Sequence, residues 1–297
     1  MRHAGYTGTF LISSDYSGYE QGSLLMRILH RVALNPSDEQ RRALTEHGIQ
    51  YEDMGHGMIV CLVDEQHSTW PALASFVAKW RAIDLVFPRF SKKELSAAPC
   101  LLMHSTWHYG YPMPDDDDGY KHMTYSDSEY CSKCGIGLKQ QAPFRMRSEP
   151  KWGKKHILQL NWIMGEFFVT PQAWESVFKP FGIECLPVLH HKTDQVLKSV
   201  RQLSINAWTL PVGTPDGYVA MCCAVCKRVS LGLESPGRFP HVELPENVHI
   251  ARTPEYFGVG IPWHEVIVSA ALYKAIVANR LRGATFEVVA APGQPRR

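Results

Sequence analysis

The chain has 297 residues, 45% hydrophobic and 20% charged, with a formal net charge of +2. These values exclude wholesale disorder and allow one large or two to three modest domains. Near-neutrality argues against a dedicated nucleic-acid binder, which carries a strong basic excess.

No stretch reaches the roughly 18 consecutive apolar residues of a membrane helix. Residues Met1 to Ser14 lack the apolar run of a signal peptide. The expectation is therefore a cytoplasmic protein without membrane contact, where paired cysteines read as metal ligands before disulfides.

In chain order, Phe10-Leu11-Ile12 reads as a short strand. Ser37 to Gln40 is a capping box that opens a helix, and Gly48 suits the left-handed residue that would end it. Met58 to Val63 is an unbroken apolar run with a β-branched centre, hence a buried strand. From about Thr69 a helix is predicted, because Leu73, Phe76, Val77 and Trp80 form one stripe at i, i+3, i+4 and i+7. Ile83 to Phe87 reads as a strand, Ser91 to Glu94 as a second capping box, and Cys100 to Met103 as a further strand. The alternation predicts an N-terminal α/β domain over residues 1–110.

Residues 111–129 are rich in Tyr, Gly and Pro and carry Asp115 to Asp118, the composition of a linker or surface loop. The aspartates can bind a hard cation only if their oxygens converge, and a contiguous run more often faces water. His104 and His108 stand four apart, but Ser105 follows His104 where a zinc protease has its glutamate.

The remaining residues, 130–297, contain two similar strand-helix-strand units, at about 130–215 and 216–297. Phe167 to Thr170 leads into Trp174, Val177, Phe178 and Phe181, then Leu186 and Val188. Val266 to Ser269 leads into Tyr273, Ile276, Val277 and Leu281, then Phe286 and Val288. Thr170 before Pro171, and Ser269 in the second copy, are helix N-cap signals. The fold class expected is α+β or α/β: an N-terminal α/β domain, then a zinc-knuckle region.

Eight cysteines are present. Cys61, Cys100 and Cys185 sit in apolar runs and read as core residues. Cys131-Ser132-Lys133-Cys134-Gly135 and Cys223-Ala224-Val225-Cys226 are two CxxC pairs, each preceding one unit. Four thiolates match a structural, coordinatively closed Zn2+ site. The alternatives are unrelated reduced pairs or a redox dithiol. Cys222 could stand in for Cys223, and Lys227 occupies the place of the glycine that follows the first knuckle.

After the first knuckle, Lys139, Arg145, Arg147, Lys151, Lys154, Lys155 and His156 are interleaved with Phe144 and Trp152. Cations with aromatics can track a phosphate backbone and stack bases, which makes Lys139, Arg145, Arg147, Trp152, Lys154 and Lys155 candidate nucleic-acid contacts. The bland alternative is a solvated connection whose Trp152 packs on the core.

On the two knuckles and the units Glu166 to Thr170 and His264 to Val289, the C-terminal part resembles the bacterial double-CxxCG-motif proteins. Several members are classed as immunity proteins of polymorphic toxin systems. Residues Tyr130 to Val188 are also similar to a widespread set of uncharacterised bacterial proteins. The resemblance covers somewhat more than half the chain, and Lys227 departs from the second CxxCG. It implies a zinc-stabilised protein that binds a protein partner, such as a cognate toxin. Two other functions stand beside it: a nucleic-acid-binding zinc protein using residues 139–156, and a hydrolase built on His104, His108 and the aspartates. No GxSxG, Walker or GxGxxG motif occurs in a usable context, so an enzymatic role has no residue to carry it.

Overall fold

A computed structural model describes residues 26–297; the strand expected at Phe10 to Ile12 lies outside them. The first unit runs β1 (Arg27–Leu34), α1 (Asp38–Glu46), β2 (Glu52–Gly55), β3 (Met58–Asp64), α2 (Trp70–Trp80), β4 (Ile83–Arg89). Both capping boxes form: Ser37 accepts from the Gln40 amide, and Ser91 from the Glu94 amide at the start of α3 (Lys92–Ala97). Gly48 takes φ +66° just beyond α1.

The sheet order is β2-β3-β1-β4 with every pairing antiparallel. A β-α-β-β-α-β chain in that order is a split βαβ, the ferredoxin-like topology. Alternating side chains of β1 and β3 (Val32, Ile59, Cys61, Val63) meet Leu44 and Leu73 of the helices in one buried core.

The strand expected at Cys100 does not join that sheet. β5 (Cys100–Ser105) pairs instead with strands more than 160 residues away, Leu102 opposite Ile267 and Glu287. The reason is its apolarity on both faces, which needs a central place in a two-sided sheet. Leu101 and Met103 enter one core, Cys100 and Leu102 another. The α/β alternation thus ends near residue 90, with β5 beginning the second part.

Residues 111–129 also differ from the linker expected. They contain α4 (Gly119–Thr124) and β6 (Tyr125–Ser126), which pairs with β7 (Lys139–Gln140). Tyr120 is 2% exposed among Phe144, Met146 and Leu158, Tyr125 packs on the same core and Met113 is also buried, so these side chains anchor an otherwise polar stretch.

Next come β8 (Arg145–Met146), β9 (Ile157–Leu158), β10 (Phe168–Val169), α5 (Pro171–Ala173), β11 (Cys185–Leu186), β12 (Leu189–His190) and β13 (Arg201–Leu203). A π turn (Trp174–Phe178) and a 3₁₀ turn (Lys179–Phe181) continue α5. The last part has β14 (Tyr218–Cys222), β15 (Val229–Leu233), β16 (Ile250–Arg252), β17 (Tyr256–Phe257), β18 (Val266–Ser269), α6 (Ala270–Ala278) and β19 (Ala284–Val288).

Two four-stranded sheets follow one plan. The first reads β11-β13-β10-β9 and the second β19-β5-β18-β16, all antiparallel. In each, the strands flanking the helix (β10 and β11, or β18 and β19) enclose a third strand, and an upstream strand (β9 or β16) lies outermost. The enclosed strand comes from downstream in the first sheet (β13) and from upstream in the second (β5). Thr170 Oγ1 accepts from the Ala173 amide and Ser269 Oγ from the Leu272 amide, both at 3.2 Å, so each helix starts at its hydroxyl cap. Inner faces of both sheets and both helices share one core, with Phe167, Val169 and Phe178 from one unit and Val266, Val268 and Leu272 from the other. Cys185 is only half-buried, at the edge of that packing.

Candidate metal centre

Each CxxC pair lies between the two strands of a hairpin, β6–β7 for the first and β14–β15 for the second. The two turns have the same hydrogen bonds. In the first, the Cys131 amide donates to Ile136 O at 2.8 Å and the Gly135 amide to Cys131 O at 2.8 Å. In the second, the Cys223 amide donates to Arg228 O at 2.9 Å and the Lys227 amide to Cys223 O at 3.0 Å. Gly135 and Lys227 both close the turn in the left-handed region, at φ +79° and +61°. Lys227 therefore keeps the glycine geometry at the cost of a crowded β-carbon.

The knuckles meet. Cys131 Sγ lies 3.9 Å from Cys223 Sγ, and Cys134 Sγ 3.6 Å from Cys226 Sγ, each pair 92 residues apart in the chain. All four sulfurs fall within 4.8 Å of one another. A tetrahedral ion with metal–sulfur bonds of about 2.3 Å needs sulfur–sulfur edges of about 3.8 Å, so these residues can hold a metal ion. Cys131 and Cys223 are buried, Cys134 and Cys226 half-buried.

Backbone amides polarise the sulfurs. Those of Cys226 and Val225 bring the Cys223 thiol down to about 6, and that of Cys134, against the opposing effect of burial, lowers Cys131. Burial, followed by the neighbouring sulfurs, pushes Cys134 up to about 12. Thiolates this close repel unless a cation shares their charge, the electrostatic condition for a metal-thiolate centre. Cys222 stays outside the cluster: it is exposed, and its Sγ donates to Lys227 O at 3.5 Å.

The other candidates are dispersed. Lys139 pairs with Glu129 at 2.6 Å, Arg145 with Asp194 at 3.1 Å and Arg147 with Asp115 at 3.1 Å. Trp152 packs against the core around Phe144 and Leu158 and donates to Ser199 O at 2.9 Å, Lys155 lies over the Trp107 ring, and Lys154 is exposed. His104, on a strand, faces Glu287 at 3.4 Å, while His108 bridges to Gln159 and burial lowers its pKa. Asp118 pairs with Lys121.

One group escaped sequence reasoning. Glu166, 7% exposed, accepts from Arg252 Nη2 at 2.8 Å and Gln202 Nε2 at 2.9 Å, and Gln202 also bonds Gln140. This network joins the two sheets. Its only sequence signal was a glutamate at the matching place in each unit, Glu166 and Glu265.

Comparison with protein-family models finds no match, and comparisons with curated proteins and solved structures find no significant similarity.

Proposed function

We propose that this chain is a zinc-stabilised, cytoplasmic protein-binding factor of the toxin-neutralising kind, with the metal as a crosslink between two halves. The observation that carries the reading is the donor set: four cysteine sulfurs from two matched knuckles at one point. Four thiolates favour zinc among common intracellular metals and leave no position for substrate or activated water. When bound, zinc supplies a redox-inert link between segments 92 residues apart. The cysteines hold it, and the amides of each turn direct the charge. Nothing in such a centre turns over. The resemblance to double-CxxCG proteins, some of them immunity proteins, supplies the protein-binding part. No helix among the described residues is long and apolar enough to cross a membrane.

The test has two readouts. Elemental analysis of purified protein should give one zinc per chain; a different metal overturns the zinc assignment, and none removes the crosslink. Tagged full-length protein should co-purify with a protein encoded beside its own gene and protect cells that express it. If no such product is retained, the protein-binding reading falls even where zinc is found.

A further inference from the structure

The ferredoxin-like unit uses one face of its sheet for its helices. The opposite face carries Leu29 from β1, Leu62 from β3, and Leu85 and Phe87 from β4. None of these belongs to a core cluster among the described residues. Register places Arg31 opposite both Leu62 and Leu85, at the centre of this apolar surface. Arg31 is half-buried and has no ion-pair or hydrogen-bond partner among the described residues. Arg27 and Arg89 stand directly opposite each other on β1 and β4. Burial, then the charge of Arg27, lowers the Arg89 pKa. Two acids share this face, Asp64, 3.7 Å from Arg27, and Glu52, which stands opposite Val60 on the edge strand β2. Like charges set across a strand pair are unfavourable unless an anion compensates them.

We propose that this face is the docking surface for a protein segment that is both apolar and acidic, such as an amphipathic helix bearing leucines and carboxylates. The proposal deepens the protein-binding reading and rests on it. Carboxylates would complete the arginines as bidentate pairs, and leucines would cover the aliphatic side chains between them. Charge disfavours a second copy of this chain, because two such faces would bring arginines together. Chemistry disfavours single-stranded nucleic acid, which stacks on several aromatics. Among the described residues this face offers only Phe87, and Arg89 already lies over its ring at 5.6 Å.

The test uses zinc-loaded, full-length protein and three labelled probes read by fluorescence anisotropy. These are an 18-residue helical Leu/Glu peptide, its Leu/Lys counterpart, and an 18-mer of deoxythymidine. The Leu/Glu peptide should bind at least tenfold more tightly than either other probe, and weaken as salt rises. Arg31→Glu and Arg89→Glu should each weaken it tenfold or more, while Arg31→Lys, a folding control that keeps the charge, should lose less. Tighter binding of the oligonucleotide overturns the assignment, as does self-association abolished by Arg31→Glu. So does equal binding by wild type and Arg31→Glu. If Arg31→Glu leaves co-purification of the neighbouring gene product intact, the face is wrong and the protein-binding reading survives. Should no neighbour co-purify with wild type, that reading fails at its own test.

Discussion

At Lys227 the second knuckle accepts a residue with a β-carbon where the first has Gly135, and the turn geometry persists. A left-handed lysine costs about 1–2 kcal/mol against the right-handed region. Glycine would remove that cost and give back part of it through a freer unfolded chain. Lys227→Gly should therefore stabilise the protein by up to about 1 kcal/mol, read as a raised melting temperature at unchanged zinc content. The reverse change, Gly135→Ala, should destabilise: φ is +79° and the new Cβ would lie 2.9 Å from Gly260 O. A fall in melting temperature for Lys227→Gly would mean that the lysine makes a compensating contact. The departure that set this sequence apart from the second CxxCG is thus a tolerated strain.

At the scale of elements, the sheets are pinned by buried polar pairs. Arg252 on β16 and Glu166 before β10 are 15% and 10% exposed at the side chain. Arg252→Met would strand the carboxylate and should cost about 3–5 kcal/mol. Pairing it with Glu166→Leu should restore much of that loss in denaturant unfolding. A second pair gives a pH signature. Burial alone would lower the His104 pKa, but the hydrogen bond it donates to Glu287 and the charges of Glu287 and Glu265 outweigh it and raise the value to about 9. With the folded value above the ordinary 6.5, the stabilisation is fully present below pH 6.5 and lost as pH rises through about 9. Wild type should accordingly lose stability between pH 7 and 9.5 relative to His104→Gln, measured by urea unfolding. Parallel curves would show that the pair is not coupled to folding.

These elements also show what was legible. The capping boxes at Ser37 and Ser91 and the stripe ending at Trp80 act within a few residues, so pattern alone located them. The membership of β5 was hidden because its partners Ile267 and Glu287 lie beyond any local window. The fold of residues 111–129 was hidden because Met113, Tyr120 and Tyr125, buried or packed on a core, outweigh a polar composition that reads as a loop. At the candidate site the four cysteines were legible from type and spacing. Glu166 and Arg252 were not, because an ion pair has no sequence period.

For the whole molecule, the metal centre and the ferredoxin-like unit are independent sources of stability. The core around Val32, Leu44, Cys61 and Leu73 contains no residue beyond 90, and the knuckles lie after 130. The two hairpins, by contrast, have short strands and half-exposed flanks: β6–β7 pairs only two residues per strand, and β14 is half-buried or exposed along its length. A hairpin of two pairs is marginal alone, so the order of β6–β7 depends on the sulfur cluster, whereas β15 is also held by β17 and by the core around Leu231. Metal binding in such a site is folding free energy, on the order of 10 kcal/mol for small zinc modules and less where other packing exists. Chelation at neutral pH should then release one zinc and open residues 125–140 to hydrogen exchange, with a smaller effect over 218–228, leaving 27–89 protected. Cys131→Ser or Cys226→Ser should give the same pattern without chelator, because either removes one of four ligands. Uniform loss of protection across the chain would instead mean that the first unit leans on the metal-bound half. Unchanged protection would mean that the four thiols pack adequately without an ion.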